Sequence, residues 1–227
     1  LIYILYQRTG YLKNYVLLNK ALRYLNRYPR LYTISNQIKS SLFKKQIQFE
    51  FNQDINKEFE TIIKYLPDHA ENILDIGCGV AGIDALIGKF YKGSINVFLL
   101  DKSQLDQKVY YEYEEKGSFY NSLLIAKQLL AQNDISPNKI FTQEATASNS
   151  IDFDVKFDLI ISLISWGFHY PVSTYLETVY NKLRSGGRLI LDIRKNTQGE
   201  EEIKHLFGTC KSIYEGSKHH RYLAIKA

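Results

Sequence analysis

The spacing of apolar residues changes near residue 72. Before that point, apolar positions recur every three or four residues, which predicts an amphipathic helix through Tyr11, Tyr15, Leu18, Leu22 and Leu25. The helix is predicted to end at Tyr28-Pro29, because the residue before a proline avoids helical geometry. A second helical stretch is predicted around 38–49. Asp54 is predicted to cap a third helix that runs to Tyr65.

After residue 72, short apolar runs typical of buried strands alternate with helical segments. Strands are predicted over 72–77, 95–101, 139–144, 157–164 and 188–194. Helices are predicted over 82–90, 121–133 and 172–187, the last of them stopped by a pair of glycines. This alternation indicates a parallel α/β sheet. A strand, a turn at Glu215-Gly216 and another strand then predict a β-hairpin at the end of the sheet.

Composition and charge divide the chain at a similar place. The 227 residues are 45% hydrophobic and 23% charged, which is typical of a globular protein. Nine basic side chains but one acid lie in residues 1–50, whereas the rest of the chain is mildly acidic. We therefore predict a basic, tyrosine-rich helical extension or cap over 1–53 and an α/β domain over 54–227. Such an asymmetry favours an anionic partner.

Several classes of protein are disfavoured. No apolar run approaches the roughly 20 residues that span a bilayer, so no membrane span is predicted. Cys78 lies inside a glycine-rich turn and Cys210 is the only other cysteine, so we expect no disulfide and a reducing, cytoplasmic location. His205, His219 and His220 lack the spacing of metal ligands with the cysteines, and no metal site is predicted.

The stretch ILDIGCGVAG, residues 73–82, carries the strongest chemical signal. Gly77, Gly79 and Gly82 spell G-x-G-x-x-G between a predicted strand and a predicted helix. Glycines at this edge of a parallel sheet let the backbone approach a ligand closely. Asp101 ends the next strand, about where an acid meets ribose hydroxyls in dinucleotide sites. These features leave a nicotinamide dinucleotide and another adenosyl cofactor both open.

Further features narrow that choice. Asp75 extends the turn to D-x-G-x-G, FDLIIS follows at 157–162, LRSGGRLIL occupies 183–191, and the chain closes with the predicted hairpin. Together these motifs resemble those of the class I S-adenosylmethionine-dependent methyltransferases, over about residues 54–227. The resemblance implies a Rossmann-like, seven-stranded, mostly parallel sheet and S-adenosylmethionine as the cofactor.

The resemblance also implies cofactor-binding residues at the carboxyl ends of the strands. The methionine part of the cofactor would lie against Asp75 and the turn formed by Gly77, Cys78, Gly79 and Gly82. Asp101 would bind the ribose hydroxyls, with Lys102 beside the adenine. The adenine edge would meet Glu144 and Ala145, and Ser162 completes the set at the end of the fourth strand.

The residues expected at the methyl acceptor lie in two segments. The loop SLISWGFHYP, 162–171, lacks the N-P-P-Y signature of many methyltransferases that act on amino groups of nucleic acids. It offers His169 as a general base, or as a histidine that only fixes the loop, together with Tyr170 and Trp166. The segment 107–122 is either a lid over the site or a helical insert packed on the sheet, and Phe119, Tyr120 and Asn121 are its residues expected to face the acceptor.

These observations favour methyl transfer to a hydroxyl of a small molecule, such as a sugar or a cell-surface precursor. An RNA methyltransferase that uses the basic arm is the first alternative. A cofactor-binding or dimerisation module without catalysis is a second alternative, and a dinucleotide oxidoreductase is a third. The N-terminal segment itself is open to three interpretations, which are an acceptor-selecting cap, an RNA-binding arm and a homodimerisation arm.

Overall fold

The computed structural model describes residues 1–8, 11–12, 29–103 and 121–227. Most of the helix predicted through Tyr11 and Leu25 falls outside these ranges. So do Phe119, Tyr120 and nearly all of segment 107–122, so the proposed lid stays a prediction.

The described ranges contain eight β-strands. They are β1 (Asn72–Ile76), β2 (Asn96–Asp101), β3 (Ile140–Glu144), β4 (Phe157–Ser162), β5 (Ser165–Tyr170), β6 (Leu183–Arg194), β7 (Lys211–Glu215) and β8 (His219–Ile225). The predicted strands are confirmed, four of them to within two residues at their ends, whereas the strand predicted over 188–194 begins five residues earlier, at Leu183.

The same ranges contain seven α-helices. They are α1 (Ile2–Gln7), α2 (Pro29–Leu42), α3 (Lys44–Ile62), α4 (Gly82–Phe90), α5 (Leu123–Ala131), α6 (Leu176–Lys182) and α7 (Gly199–Phe207). Single 3-10 turns follow α3 at Ile63–Tyr65, precede β3 at Pro137–Lys139 and precede α6 at Val172–Thr174.

Seven strands form one sheet in the order β3-β2-β1-β4-β6-β8-β7. The pairs from β3 to β6 are parallel, while β8 is antiparallel to both β6 and β7. The seven-stranded, mostly parallel sheet and its C-terminal hairpin are thus as predicted. The strand order reverses at β1, which lies between β2 and β4, and ligands of open α/β sheets bind at the carboxyl ends of strands at such a point.

Alternate residues of the central strands enter two cores, one on each face of the sheet. Ile73 of β1 packs with the helices α3, α4 and α5, whereas its neighbour Leu74 packs with α6 and α7. All five residues of β1 are buried. This is typical of a strand in a parallel sheet that helices cover on both faces.

The N-terminal helices belong to the first of these cores. The buried residues of α3 recur mainly at four-residue steps, which is one face of a helix: Ile47, Phe51, Ile55 and Ile62. The prediction that Asp54 caps a helix was wrong, because this apolar face begins earlier and α3 runs without a break from Lys44 through Asp54. The helix therefore crosses the position where the sequence suggested a division between extension and domain.

Two further differences from prediction lie between β4 and β7. The helix expected to end at the glycine pair ends at Lys182, because β6 already begins at Leu183 and contains both glycines. The helix α7 was not predicted, although its glutamates at the first turn and its basic residues at the last turn complement the helix dipole.

Candidate active site

The turn after β1 is bent by three residues in the left-handed region. These are Gly77 (φ 79°), Gly79 (φ 55°) and Ala81 (φ 59°). The backbone N–H of Gly77 donates to the carbonyl of Leu100 at 2.7 Å, which ties the turn to β2. Gly82 has no such φ and is the first residue of α4, so Ala81 and not Gly82 makes the bend at the end of the turn.

Because the glycines of the motif have no Cβ, a side chain from a different element packs closely against each of them. A Cβ on Gly77 would lie 1.7 Å from Oγ of Ser165, and one on Gly79 would lie 3.0 Å from Oε1 of Gln7. A Cβ on Gly82 would lie 2.6 Å from Cζ of Phe51. Gly82 therefore lets α4 pack against α3, whereas Gly77 and Gly79 meet β5 and α1.

Asp101 joins the end of β2 to the turn. Its Oδ2 accepts the N–H of Gly79 at 2.8 Å, and its Oδ1 accepts the N–H of Lys102 at 2.6 Å. Burial raises the pKa of this carboxyl to about 6, although the two backbone hydrogen bonds oppose that shift. The predicted ribose-binding acid is therefore beside the glycine turn and held by it.

A pair of buried carboxyl groups lies beneath the turn. Asp75 of β1 is 3% exposed and Asp84 of α4 is fully buried, and the two lie within hydrogen-bonding reach of each other. Among the described residues, neither oxygen of Asp84 nor Oδ1 of Asp75 has a hydrogen-bond partner of good geometry. Burial raises the pKa of Asp84 to about 7, and burial followed by the charge of Asp84 raises the pKa of Asp75 well above its usual range.

Cys78 and Asn121 meet at the same turn. The amide of Asn121 lies 3.9 Å from Sγ of Cys78, and the Oδ1 of this buried asparagine has no hydrogen-bond partner in the described part of the chain. Burial raises the pKa of the Cys78 thiol well above its usual range, which favours the protonated thiol near neutral pH. Asn121, predicted at the acceptor, is thus placed beside the expected cofactor turn.

The residues predicted around adenine are also brought together. Asp101 of β2 lies opposite Glu144 of β3, and the N–H of Ala145 donates to the carbonyl of Asp101 at 2.9 Å. The Glu144 carboxylate accepts the N–H of Ser103 at 2.8 Å. The carboxyl ends of β2 and β3 therefore form one corner with Lys102 at its edge.

Ser162, predicted at the cofactor, and Trp166, predicted at the acceptor, both form hydrogen bonds within the protein. The Ser162 hydroxyl donates to the carbonyl of Ile76 at 2.6 Å and accepts the N–H of Trp166 at 3.0 Å. The Trp166 indole is 1% exposed, and its N–H donates to the carbonyl of Val172 at 2.9 Å. These contacts fix the start of β5 to the end of β1, and they leave little of the indole for an acceptor to touch.

The segment predicted as an acceptor loop is the strand β5. Ile164 turns the chain with a φ of 52°, and its N–H donates to the buried carboxylate of Asp192 at 3.0 Å. Ser165 then lies on Gly77. His169 is four residues further along, a path of about 13 Å at the rise of an extended strand. His169 and Tyr170 are half-buried, and burial followed by the charge of Arg194 lowers the pKa of His169.

Three residues at this site were missed from the sequence. Asp84 carried a signal, because it is an acid in the otherwise apolar first turns of α4. Ser165 and Gln7 carried none, since they reach the glycines only through the course of β5 and α1. Within the described residues, no group of histidines, cysteines and acids could hold a metal ion, and no helix is long and apolar enough to cross a membrane.

No family model matches the sequence, and the curated proteins gave no sequence match. Among solved structures, a methyltransferase from Pyrococcus furiosus matches with a TM-score of 0.52 at 17% identity, over 76% of this chain and 83% of that chain. A T. thermophilus 16S rRNA N2 G1207 methyltransferase, solved with AdoMet and guanosine, matches with a TM-score of 0.51 at 14% identity, over 74% of this chain and 41% of that chain.

A protein from Klebsiella pneumoniae that is provisionally assigned as an O-methyltransferase gives a TM-score of 0.52 at 14% identity, over 84% of this chain and 97% of that chain. At these identities the matches establish the fold, which is the Rossmann-like fold of class I methyltransferases, as the motifs implied.

Proposed function

We propose that this protein is a methyltransferase that takes a methyl group from S-adenosylmethionine and transfers it to a hydroxyl of a small molecule. The observation that carries the proposal is the gathering of Asp75, Asp84 and Asp101 at the glycine turn. A dinucleotide would bring its anionic pyrophosphate to this turn and be repelled by the carboxyls. S-adenosylmethionine brings a sulfonium and an ammonium group, both of them cations.

The residues at the turn fit this cofactor. Asp75 and the backbone of Gly77, Cys78 and Gly79 would hold its methionine part, where Oδ1 of Asp75 lacks a partner of good geometry within the described residues. Asp101 is partly exposed and would accept hydrogen bonds from the ribose hydroxyls. The adenine would lie at the corner formed by the ends of β2 and β3, beside Lys102, Glu144 and Ala145. The bound AdoMet of the T. thermophilus neighbour supports this choice.

His169 is our candidate for the general base. S-adenosylmethionine supplies a methyl group on a positively charged sulfur, so transfer depends mainly on aligning the acceptor oxygen with that group. The lowered pKa of His169 keeps its imidazole neutral near pH 7, so that it can accept the proton of the acceptor hydroxyl. Tyr170 follows it on β5. Because Trp166 is buried, its proposed contribution is to fix β5 and so to shape the acceptor site.

We propose that the N-terminal segment covers the site and selects the acceptor. Gln7 of α1 already lies against Gly79, and Ile4 and Leu5 are buried in the core shared with α3. The N–H of Leu12 donates to Glu50 of α3 at 3.1 Å. A segment held over the turn in this way favours a small acceptor over a bulky one.

Calorimetric titration tests the cofactor. Binding of S-adenosylhomocysteine without binding of the oxidised nicotinamide dinucleotide is the expected result, and binding of the dinucleotide alone would refute the proposal. Transfer of labelled methyl from S-adenosylmethionine into fractionated cell extract tests the activity. Label in the small-molecule fraction supports the acceptor class, whereas cofactor binding without transfer to any fraction would favour a module without catalysis.

An RNA acceptor is the second candidate, and two observations favour it. The N-terminal segment is basic, and one structural neighbour is an rRNA methyltransferase. Lys44 and Lys45 are exposed at the start of α3 and belong to that basic segment. Deletion of residues 1–50 would also remove the buried Ile47 from the core, so the double variant Lys44→Gln/Lys45→Gln is the sharper probe. RNA binding that weakens with salt and is reduced in this variant would favour the RNA acceptor.

A further inference from the structure

Asp84 is a buried acidic residue at this site to which the proposed reaction gives no role of its own. It lies in the first turn of α4, is fully buried and faces Asp75 of β1. Neither of its oxygens finds a hydrogen-bond partner of good geometry among the described residues. Burying an ionised carboxylate without hydrogen-bond partners costs folding free energy, so the protonation state of Asp84 has to be explained.

A shared proton explains the arrangement. Two carboxylates in contact cannot both ionise readily in a buried site, whereas a carboxyl and a carboxylate satisfy each other with one hydrogen bond. The other titratable groups that act here are also acidic, namely Asp101 and the Cys78 thiol. From α3, the side chains that face the start of α4 are the apolar Phe51 and Ile55. The pair is therefore held as one proton between two carboxyls.

An arriving cation changes this balance. The ammonium group of S-adenosylmethionine would stabilise a second negative charge next to Asp75. The N-terminus of α4 acts in the same direction, because the positive end of a helix dipole favours an ionised acid in the first turn. With a cation beside Asp75, the doubly ionised pair is more stable than the pair that shares a proton, so the proton is released to solvent.

We propose that Asp84 is a positioning residue for the cofactor's ammonium group, which acts by sharing one proton with Asp75 and losing it when the cofactor binds. The inference rests on the proposed function. In the balanced step, one carboxyl of the pair releases H⁺ to water, and the ammonium group takes its place as the partner of Asp75. Cofactor affinity is thereby coupled to pH.

Calorimetry with S-adenosylhomocysteine at pH 6, 7 and 8, in buffers of different ionisation enthalpy, measures the proton directly. For one released proton and a group that titrates near 7, binding is expected to be about tenfold tighter at pH 8 than at pH 6. Asp84→Asn keeps the shape and can donate to Asp75, so it should bind without proton release and with little dependence on pH. Methylthioadenosine lacks the ammonium group and should release no proton from the unaltered protein.

Unchanged affinity from pH 6 to 8 without proton release would overturn the proposal, as would an Asp84→Asn variant that keeps the full pH dependence. Thermal unfolding without ligand separates this failure from failure of the proposed function. Because the folded state holds the proton more tightly than the unfolded chain, the melting temperature should fall as pH rises from 5 to about 7, and less so in Asp84→Asn. If the melting temperatures behave in this way but S-adenosylhomocysteine does not bind, the shared proton is supported and its role in cofactor binding is refuted. If the melting temperatures of the unaltered protein and of Asp84→Asn depend equally on pH, the shared proton itself is refuted.

Discussion

The Asp101 carboxylate accepts a 2.8 Å hydrogen bond from the backbone N–H of Gly79, which joins the end of β2 to the turn that follows β1. Parallel neighbouring strands end at the same edge of a sheet, so this bond fixes the distance between the two groups that would hold the ribose and the methionine part of the cofactor. Replacing Asp101 tests its proposed ribose contact, and because an amide has one accepting oxygen, Asp101→Asn also removes one of the two backbone hydrogen bonds.

Asp101→Asn should weaken binding of S-adenosylhomocysteine by about 10- to 100-fold, because a charge-assisted hydrogen bond contributes about 1.5–3 kcal/mol. Calorimetry measures the affinity and circular dichroism checks that the fold is kept. Asp154→Asn removes an exposed carboxyl elsewhere on the surface and is the matched control. Equal affinities in the two variants would rule out a cofactor contact at Asp101.

Gly82→Ala should destabilise the protein but leave cofactor affinity intact. The added Cβ would meet Phe51 at 2.6 Å and Ile55 at 3.1 Å in the core between α3 and α4, and such overpacking costs about 1–3 kcal/mol. Urea unfolding measures the loss, and Phe51→Leu in the same chain should recover part of it.

Gly77→Ala provides the contrast. Its φ is 79° and its added Cβ would meet Ser165 at 1.7 Å, so both stability and S-adenosylhomocysteine affinity should fall. A Gly82→Ala variant that is stable but fails to bind would instead assign Gly82 to the cofactor.

The sequence predicted the sheet well because its strands are defined by burial. All five residues of β1 are buried, and an apolar run of that kind is visible in one dimension. Asp54 was misjudged because a local capping signal was given more weight than the apolar face at Ile47, Phe51 and Ile55 that runs through it. A periodic face buried against a sheet outweighs the preference of one residue for a helix end.

The rest of the site depends on contacts between distant segments. Ser165 becomes the start of a strand because Ile164 bends the chain and donates to Asp192, which lies 28 residues further on. Asp84 stands out in the sequence only as an acid in an apolar helical turn, and its contact with Asp75 arises only when β1 places the two together. Neither relationship has a spacing that could be read from the chain alone.

Arg221→Met should cost about 3–5 kcal/mol of unfolding free energy, because it leaves a buried carboxylate without its counter-charge. The Arg221 guanidinium is fully buried and bonds both oxygens of Asp192, at 2.7 and 2.8 Å. It also reaches Glu58 of α3 at 2.6 Å, so it ties the N-terminal helices to β8. Urea unfolding at neutral pH measures the loss.

Two variants check that interpretation. Arg184 is 39% exposed and pairs with Glu71 and Asp158 on the surface, so Arg184→Gln should cost less than about 1 kcal/mol. Replacing both buried partners, as Asp192→Leu/Arg221→Met, should recover part of the stability that Arg221→Met loses. Equal losses for the two single arginine variants would show that burial of the ion pair is not what makes Arg221 important.

His169 should set the acid limb of the methyl-transfer rate. Burial and the charge of Arg194 lower its pKa below the ordinary value of about 6.5, so the imidazole is a free base above that pH and becomes protonated, and inactive as a base, only below it. Initial rates at saturating S-adenosylmethionine, with the acceptor fraction found by labelling and measured from pH 5 to 8, should therefore be flat near neutrality and fall in acid. His169→Asn should be about 10²- to 10⁴-fold slower and lose the acid limb.

Arg194→Gln removes the nearby positive charge, which raises the pKa of His169 and moves the acid limb to higher pH. A histidine that only fixes β5 would lower the rate when replaced while leaving the shape of the pH profile unchanged, and that outcome would remove it from the chemistry.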